Sequence, residues 1–179
     1  MDLMKNSLLL ALIFLVVGCS NVEPRRPINP KQSTTLHKEV IKESIALNKV
    51  EDDKILEIIK KDSIKTYLQS SEGFWYTYIH KINKDLPNPI EGKEVTFEYN
   101  ITDLNDSILY SKESLGIKKY KVDKENFISG LQKGIKLMKI GETITFVIPS
   151  YSAFGITGDG NKIGLNKSIK STVTLINIK

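Results

Sequence analysis

The sequence predicts an α+β fold, one short α-helix on a curled antiparallel β-sheet preceded by a helical N-terminal spacer, and three observations predict it. Val95-Thr96-Phe97-Glu98-Tyr99-Asn100-Ile101 alternates apolar and polar residues, the period-2 pattern of a strand with one buried face. Phe127, Ile128, Leu131, Ile135 and Leu137-Met138 make a single helical stripe, closed by Lys139 and Gly141 in the manner of a helix C-terminus. Two β-rich runs follow it, Thr143 to Ile148 stopped by Pro149, and Thr172 to Ile178. One helix among antiparallel strands must cover one face of their sheet.

The N-terminus has a different texture. Lys5 supplies a positive charge, and Leu8 through Val17 form an apolar run shorter than the roughly 20 residues a membrane-spanning helix needs. Residues 1–18 therefore read as an export signal. The run ends in Val16-Val17-Gly18-Cys19, which resembles the lipobox cut by lipoprotein signal peptidase once diacylglycerol is attached to the thiol. The implied lipidation site is Cys19. Each buried acyl CH₂ contributes roughly 0.8 kcal/mol, so two or three chains hold a protein to a bilayer almost permanently. This reading anchors the mature chain in the cell membrane or outer membrane, facing the periplasm.

Residues 19–35 carry Pro24, Pro27 and Pro30 among polar residues and read as a flexible tether. Leu36, Val40, Ile41, Ile45, Ile55, Ile58 and Ile59 then recur at helical spacing, which predicts a helical spacer over 36–72 that packs on its own domain or stands free of it. Asp52 and Asp53 suggest a cap for a second helix running towards Leu68 and ended by Ser70-Ser71-Glu72-Gly73. From residue 73 to 179 the pattern is that of the β-rich domain. Phe74 to Ile79 is aromatic and β-branched, Pro87, Pro89 and Gly92 interrupt, and Asp103 to Ser107 mark a turn into Ile108-Leu109-Tyr110.

Composition removes several classes of function. With 40% hydrophobic and 26% charged residues the chain is that of a globular protein. A single cysteine allows neither a disulfide framework nor a thiolate zinc site, and His37 and His80 stand too far apart for a metal centre or a Ser-His-Asp device. No metal or other cofactor is therefore expected. The net charge of +5 is mild, and Lys118, Lys119 and Lys121 around Tyr120 read as the solvated face of a strand, so no nucleic-acid partner is expected either. Gly155, Gly158 and Gly160 near Asp159 lack the Lys-Ser/Thr of a phosphate loop. Asp103-Leu104-Asn105-Asp106 lacks the glycine and glutamate of a calcium loop.

Four segments in order, Val95 to Tyr99, Phe127 to Gly134, Met138 to Glu142 and Ile148 to Gly155, make residues 73–179 resemble the FKBP-type peptidyl-prolyl isomerases. Val95-Thr96-Phe97-Glu98-Tyr99 is similar to that family's second strand, which ends in a pocket tyrosine. Phe127-Ile128-Ser129-Gly130-Leu131-Gln132-Lys133-Gly134 is similar to its helix, Met138-Lys139-Ile140-Gly141-Glu142 to the helix exit, and Ile148-Pro149-Ser150-Tyr151-Ser152-Ala153-Phe154-Gly155 to its I-P-x-x-L-A-Y-G segment. The resemblance implies the FKBP-like sheet and a cofactor-free isomerase. It implies Tyr99, Phe154 and Ile128 as catalytic residues, with the Ile128 amide holding a substrate carbonyl. Leu109, Tyr120, Phe127, Leu131 and Ile163 become substrate-binding residues, Leu131 forming the floor.

Physical chemistry explains why such a pocket needs no nucleophile. Rotating a peptide bond costs about 18–20 kcal/mol because the twisted amide loses its resonance. The twisted amide is less polar than the planar one, so a dry aromatic cavity favours it over the ground state.

The chain also departs from the family pattern: Tyr110 stands where an aspartate usually faces the pocket tyrosine, and Phe154 where a flap tyrosine offers its hydroxyl. Leu109 replaces a phenylalanine and Gly164-Leu165 a Pro-Pro pair. Two missing polar handles predict several-fold weaker activity, at roughly 0.5–1.5 kcal/mol per hydrogen bond.

The lipidated signal, the spacer and Gly73-Phe74-Trp75-Tyr76 together resemble the gliding-motility-associated isomerase lipoproteins. The expected clients are proline-containing exported polypeptides, and the expected state is a monomer. The rival readings are a catalytically weak domain that clamps proline segments as an adaptor or chaperone, and a purely structural protein with residues 36–70 as a partner-binding arm.

Overall fold

The computed structural model describes residues 31–179, so the predicted export signal, Cys19 and residues 20–30 of the predicted tether lie outside the described residues. Contacts divide the chain into Met1–Ile41 and Lys42–Lys179. In the first unit the described residues, 31–41, are helical, so the last part of the predicted tether is helix instead. No helix among the described residues is long and apolar enough to cross a membrane.

One helix, α1 (Lys31–Lys61), replaces the two predicted. Its stretch contains neither proline nor glycine to interrupt it. The supposed cap at Asp52 and Asp53 is absent because Asp52 serves a tertiary contact instead, its Oδ1 accepting the Tyr151 hydroxyl at 2.9 Å. Lys60 and Lys61 suit the negative end of the helix dipole. Beyond them the Asp62 carboxylate accepts the amides of Ile64 and Lys65, a local turn that competes with further helix.

The predicted helical stretch towards Leu68 is therefore not formed. Leu68–Gln69 is a short strand, β1, paired antiparallel with β2 (Trp75–His80), and Gly73, at φ +80°, turns the chain between them.

The remaining elements are β3 (Glu94–Tyr99), β4 (Ile101–Thr102), β5 (Ile108–Tyr110), α2 (Lys112–Leu115), β6 (Lys118–Lys121), α3 (Ser129–Ile135), β7 (Thr143–Ile148), a 3-10 turn (Ser150–Ser152) and β8 (Ile169–Ile178). The sheet runs β1-β2-β7-β8-β3-β6, with β4 pairing β5 and β8, and every pairing is antiparallel. Register shifts at Tyr78/His80, Thr96/Phe97 and Ile101/Thr102 place irregularities where the sheet curls. The antiparallel, FKBP-like curled sheet with an N-terminal helix is the predicted fold class.

Helix α3 is shorter than its apolar stripe, since Phe127 and Ile128 precede it and Leu137-Met138 lie in the turn after it. It sits close on β7. A Cβ on Gly130 would come within 2.5 Å of the Ile148 side chain, and one on Gly134 within 2.6 Å of the Phe146 ring, so glycine permits the approach. The core beneath contains Phe74, Val95, Phe97, Leu131, Ile135, Ile144, Phe146, Ile148, Val173 and Leu175.

On the opposite face of the sheet, the C-terminal part of α1 around Ile55 packs over Trp75 and Val147. Trp75 and Val147 are register partners in β2 and β7, and both pack with Ile55 in a second buried cluster supported by Leu56, Ile59, Tyr67 and Leu104. Residues 42–61 thus pack on the β-rich domain, one of the two arrangements the sequence leaves open for the helical spacer.

Candidate active site

Tyr99 ends β3, Tyr110 ends β5, Phe127 and Ile128 lead into α3, and Ala153 and Phe154 follow the 3-10 turn. Together with Ile101, Leu115, Asn126 and Asp159 they line a cavity of about 440 Å³. Phe127 is the hub of its aromatic wall. Its ring lies 5.5 Å from Tyr99 in an edge-on arrangement, 5.7 Å from Phe97 and 5.8 Å from Tyr120. Offset and edge-on pairs of this kind are the favourable geometries for aromatic rings. Lys118 Nζ stands 5.6 Å over the Phe127 ring.

Tyr99, Phe127, Ile128 and Phe154 are thus brought to one cavity wall, while four other sequence-predicted residues are not. Tyr120 is buried behind Phe127, its hydroxyl accepting the Asp123 amide at 3.0 Å. Leu131 is fully buried below, and Ile163 is buried in the flap. Leu109 packs against the core with its carbonyl taking Lys162 Nζ at 2.9 Å. Tyr120, Leu131 and Ile163 belong to the main core cluster, and Leu109 packs against it.

Sequence reasoning missed Ile101, Leu115, Asn126, Ala153 and above all Asp159. The Tyr110 hydroxyl donates a short hydrogen bond to Asp159 Oδ2. The other carboxylate oxygen accepts the amides of Asn161 at 2.9 Å and Ile163 at 2.8 Å. The flap therefore gives a carboxylate to Tyr110 itself and not to Tyr99, the pocket tyrosine. Gly158 makes this possible: it has φ +67°, and a Cβ there would lie 2.3 Å from the Ile163 carbonyl oxygen. The glycines once compared with a phosphate loop thus serve a tight turn. Lys162 adds to the fastening, its Nζ lying 5.0 Å over the Tyr110 ring.

Burial pushes the Asp159 carboxyl up, but the Tyr110 hydroxyl and the two amides outweigh it and hold the group below its ordinary value. The Tyr110 phenol is pushed up, first by its bond to Asp159 and then by burial. A lowered carboxyl keeps its staple above the ordinary carboxylate range and loses it as pH falls through the lowered value. A raised phenol keeps it below the ordinary tyrosine value and loses it as pH rises through the raised one. Isomerisation is therefore expected to stay level between about pH 5 and about pH 9. A pH series of peptide exchange rates checks this, and a step inside that window contradicts it. Asp159→Asn is expected to slow exchange by roughly threefold to tenfold, the loss of about one hydrogen bond.

Two donors in the cavity wall remain uncommitted. Neither the Tyr99 hydroxyl nor the Ile128 amide has a hydrogen-bond partner among the described residues. Burial pushes the Tyr99 phenol up, which keeps it protonated and able to donate at neutral pH. An enclosure of aromatic rings with two such donors suits an enzyme that stabilises a twisted amide by desolvation and by grip on a neighbouring carbonyl.

The comparisons agree with that class. The profile described as FKBP-type peptidyl-prolyl cis-trans isomerase matches residues 87–176, half of the chain. The protein belongs to the FKBP-type peptidyl-prolyl cis-trans isomerases. Among solved structures, it is similar to a peptidyl-prolyl cis-trans isomerase from Pseudomonas syringae pv. tomato, at 20% identity over 73% of this chain and 95% of that one, TM-score 0.58. It is similar also to FkpA from Escherichia coli, at 21% identity over 98% of this chain and 82% of that one, TM-score 0.60. At these identities the likeness concerns the fold. A search of the curated proteins returns no match.

Proposed function

We propose that this isomerase is held to a membrane by lipid on Cys19, faces the periplasm and accelerates X-Pro isomerisation in exported polypeptides. The observation that carries the substrate assignment is the cavity of about 440 Å³ walled by Tyr99, Phe127, Ile128 and Phe154. The proline ring enters among Phe127, Phe154 and Ile128. The Ile128 amide and the Tyr99 hydroxyl hold carbonyl oxygens beside the twisting bond. Tyr99 thereby takes over the donor role that Phe154 lacks, and it is free to do so because Asp159 engages Tyr110. Uncatalysed X-Pro exchange takes tens to hundreds of seconds, slow enough to limit the folding of a client.

The anchoring rests on Lys5, the apolar run Leu8 to Val17 and Val16-Val17-Gly18-Cys19. A monomer suffices, since one chain supplies the whole cavity wall. A role in gliding motility rests on the combination of lipobox, helix and Gly73-Phe74-Trp75-Tyr76. Fractionation of cells expressing the full chain or Cys19→Ser tests the anchoring. The wild type is expected in membranes and the variant in the soluble fraction, and equal distributions contradict it. Loss of surface spreading in a deletion strain, restored by the wild type but not by Phe154→Asp, tests the motility role. Unaltered spreading removes that part of the proposal.

A further inference from the structure

Helix α1 lies outside residues 87–176, yet one of its side chains reaches both roots of the flap. Glu51 Oε1 accepts the Ser150 amide at 2.6 Å, and Oε2 accepts the Ser150 hydroxyl at 2.8 Å. The Ser168 hydroxyl also donates to Oε1. Ser150 and Ser168 bracket the loop that carries Phe154 and Asp159. Ser150 in turn governs the turn into the pocket, its carbonyl accepting the amides of Ala153 at 2.9 Å and Gly155 at 2.8 Å. One carboxylate thus fixes where the loop leaves the sheet and where it returns.

The helix cannot easily slide under this load. Ile55, one turn further on the same face, is fully buried against Trp75 and Val147. Asp52 holds Tyr151, the central residue of the 3-10 turn, through its hydroxyl. The carboxylate–hydroxyl bonds of Glu51 are charge-assisted and stronger than neutral ones.

We propose that Glu51 is a positioning residue for the isomerase pocket, and that α1 works as a clasp holding Phe154 and Asp159 in register with the wall formed by Tyr99, Phe127 and Ile128. This rests on the assignment of the cavity as the active site. It makes the N-terminal helix part of the enzyme, and it lets a load or partner acting on that helix alter turnover. A displacement near 1 Å of a positioned group costs up to about a hundredfold in rate, so a loosened loop root is felt in catalysis.

The test uses the full chain with Glu51→Ala, Glu51→Gln, Ser168→Ala and, as a solvent-facing control on the same helix, Glu57→Gln. Exchange of X-Pro peptides is measured where each protein is folded, together with hydrogen exchange at the Gly155 amide and the NMR signal of the Ala153 methyl. Glu51→Ala is expected to lower kcat/KM about tenfold, expose the Gly155 amide and shift the Ala153 methyl. Glu51→Gln keeps an acceptor oxygen and is expected to recover most of the loss, Ser168→Ala to lose about threefold, and Glu57→Gln to match wild type.

Wild-type kcat/KM in folded Glu51→Ala would falsify the clasp, and so would equal losses in Glu51→Ala and Glu51→Gln. Should Glu51→Ala fail to fold, unchanged kcat/KM in both Glu51→Gln and Ser168→Ala overturns it. A wild-type protein without any acceleration overturns the active-site assignment itself, a separate result.

Discussion

Phe154→Asp is expected to lower kcat/KM at least about a hundredfold while the protein stays folded, a loss equivalent to roughly 2.7 kcal/mol of transition-state stabilisation. Phe154 is half-buried, lines the cavity and packs against the edge of the main core cluster, so its replacement leaves the centre of that core intact. Its loss removes an apolar wall and introduces a carboxylate into the same cavity as the Asp159 carboxylate. A charged group there draws in water, and hydration restores the preference for the planar, polar amide. Peptide exchange by NMR gives the rate, and circular dichroism with thermal melting gives the fold. A folded variant retaining more than a tenth of wild-type activity counts against the cavity as the reaction site.

Phe146→Ala is the second large effect, this time on stability. The ring is fully buried, meets Phe74 edge-on at a centroid distance of 5.8 Å and lies 6.4 Å from Tyr76. Gly134 of α3 sits directly on it. Truncation removes the surface on which α3 rests and leaves a cavity that the hydrogen-bonded β7 cannot close by moving. The expected cost is about 3–5 kcal/mol of unfolding free energy. Urea denaturation measures it, and a loss below about 1 kcal/mol means the helix–sheet contact has been misassigned. Because Ile128, at the start of α3, also lines the cavity, activity is expected to fall with stability.

The sheet was legible because its signal is local. β3 alternates in sequence and its residues alternate in burial, and Pro149 stops β7 where the structure stops it. The helical segment before residue 62 was legible as helix but not in what it packs against, because Ile55 declares its apolar face without naming Trp75 and Val147 as what covers it. Asp52 resembled a cap because a carboxylate before an apolar run satisfies the local rule. Its actual partner, Tyr151, is a tertiary one. Leu68–Gln69 escaped notice because two residues carry no period, and only pairing with β2 makes them a strand.

The pocket shows the same division between local and distant information. Tyr99, Phe127, Ile128 and Phe154 could be read from ordered motifs, each on its own element. Asp159 could not, since its partnership with Tyr110 joins the end of β5 to the flap and depends on the turn at Gly158. Its one sequence signal was indirect: a tyrosine at position 110, where the family has a carboxylate, invites a search for a carboxylate elsewhere. Glu51 had no comparable signal, because its partners Ser150 and Ser168 are brought to it only when α1 packs on the sheet.

The most direct test of the central claim is the cis/trans exchange rate of short X-Pro peptides, measured by NMR with catalytic amounts of the full chain and no coupling protease. The account predicts exchange faster than the uncatalysed tens to hundreds of seconds, and its loss in Phe154→Asp. A folded wild-type protein that shifts the peptide resonances without accelerating their exchange would contradict it, leaving a domain that grips proline segments and does not turn them over.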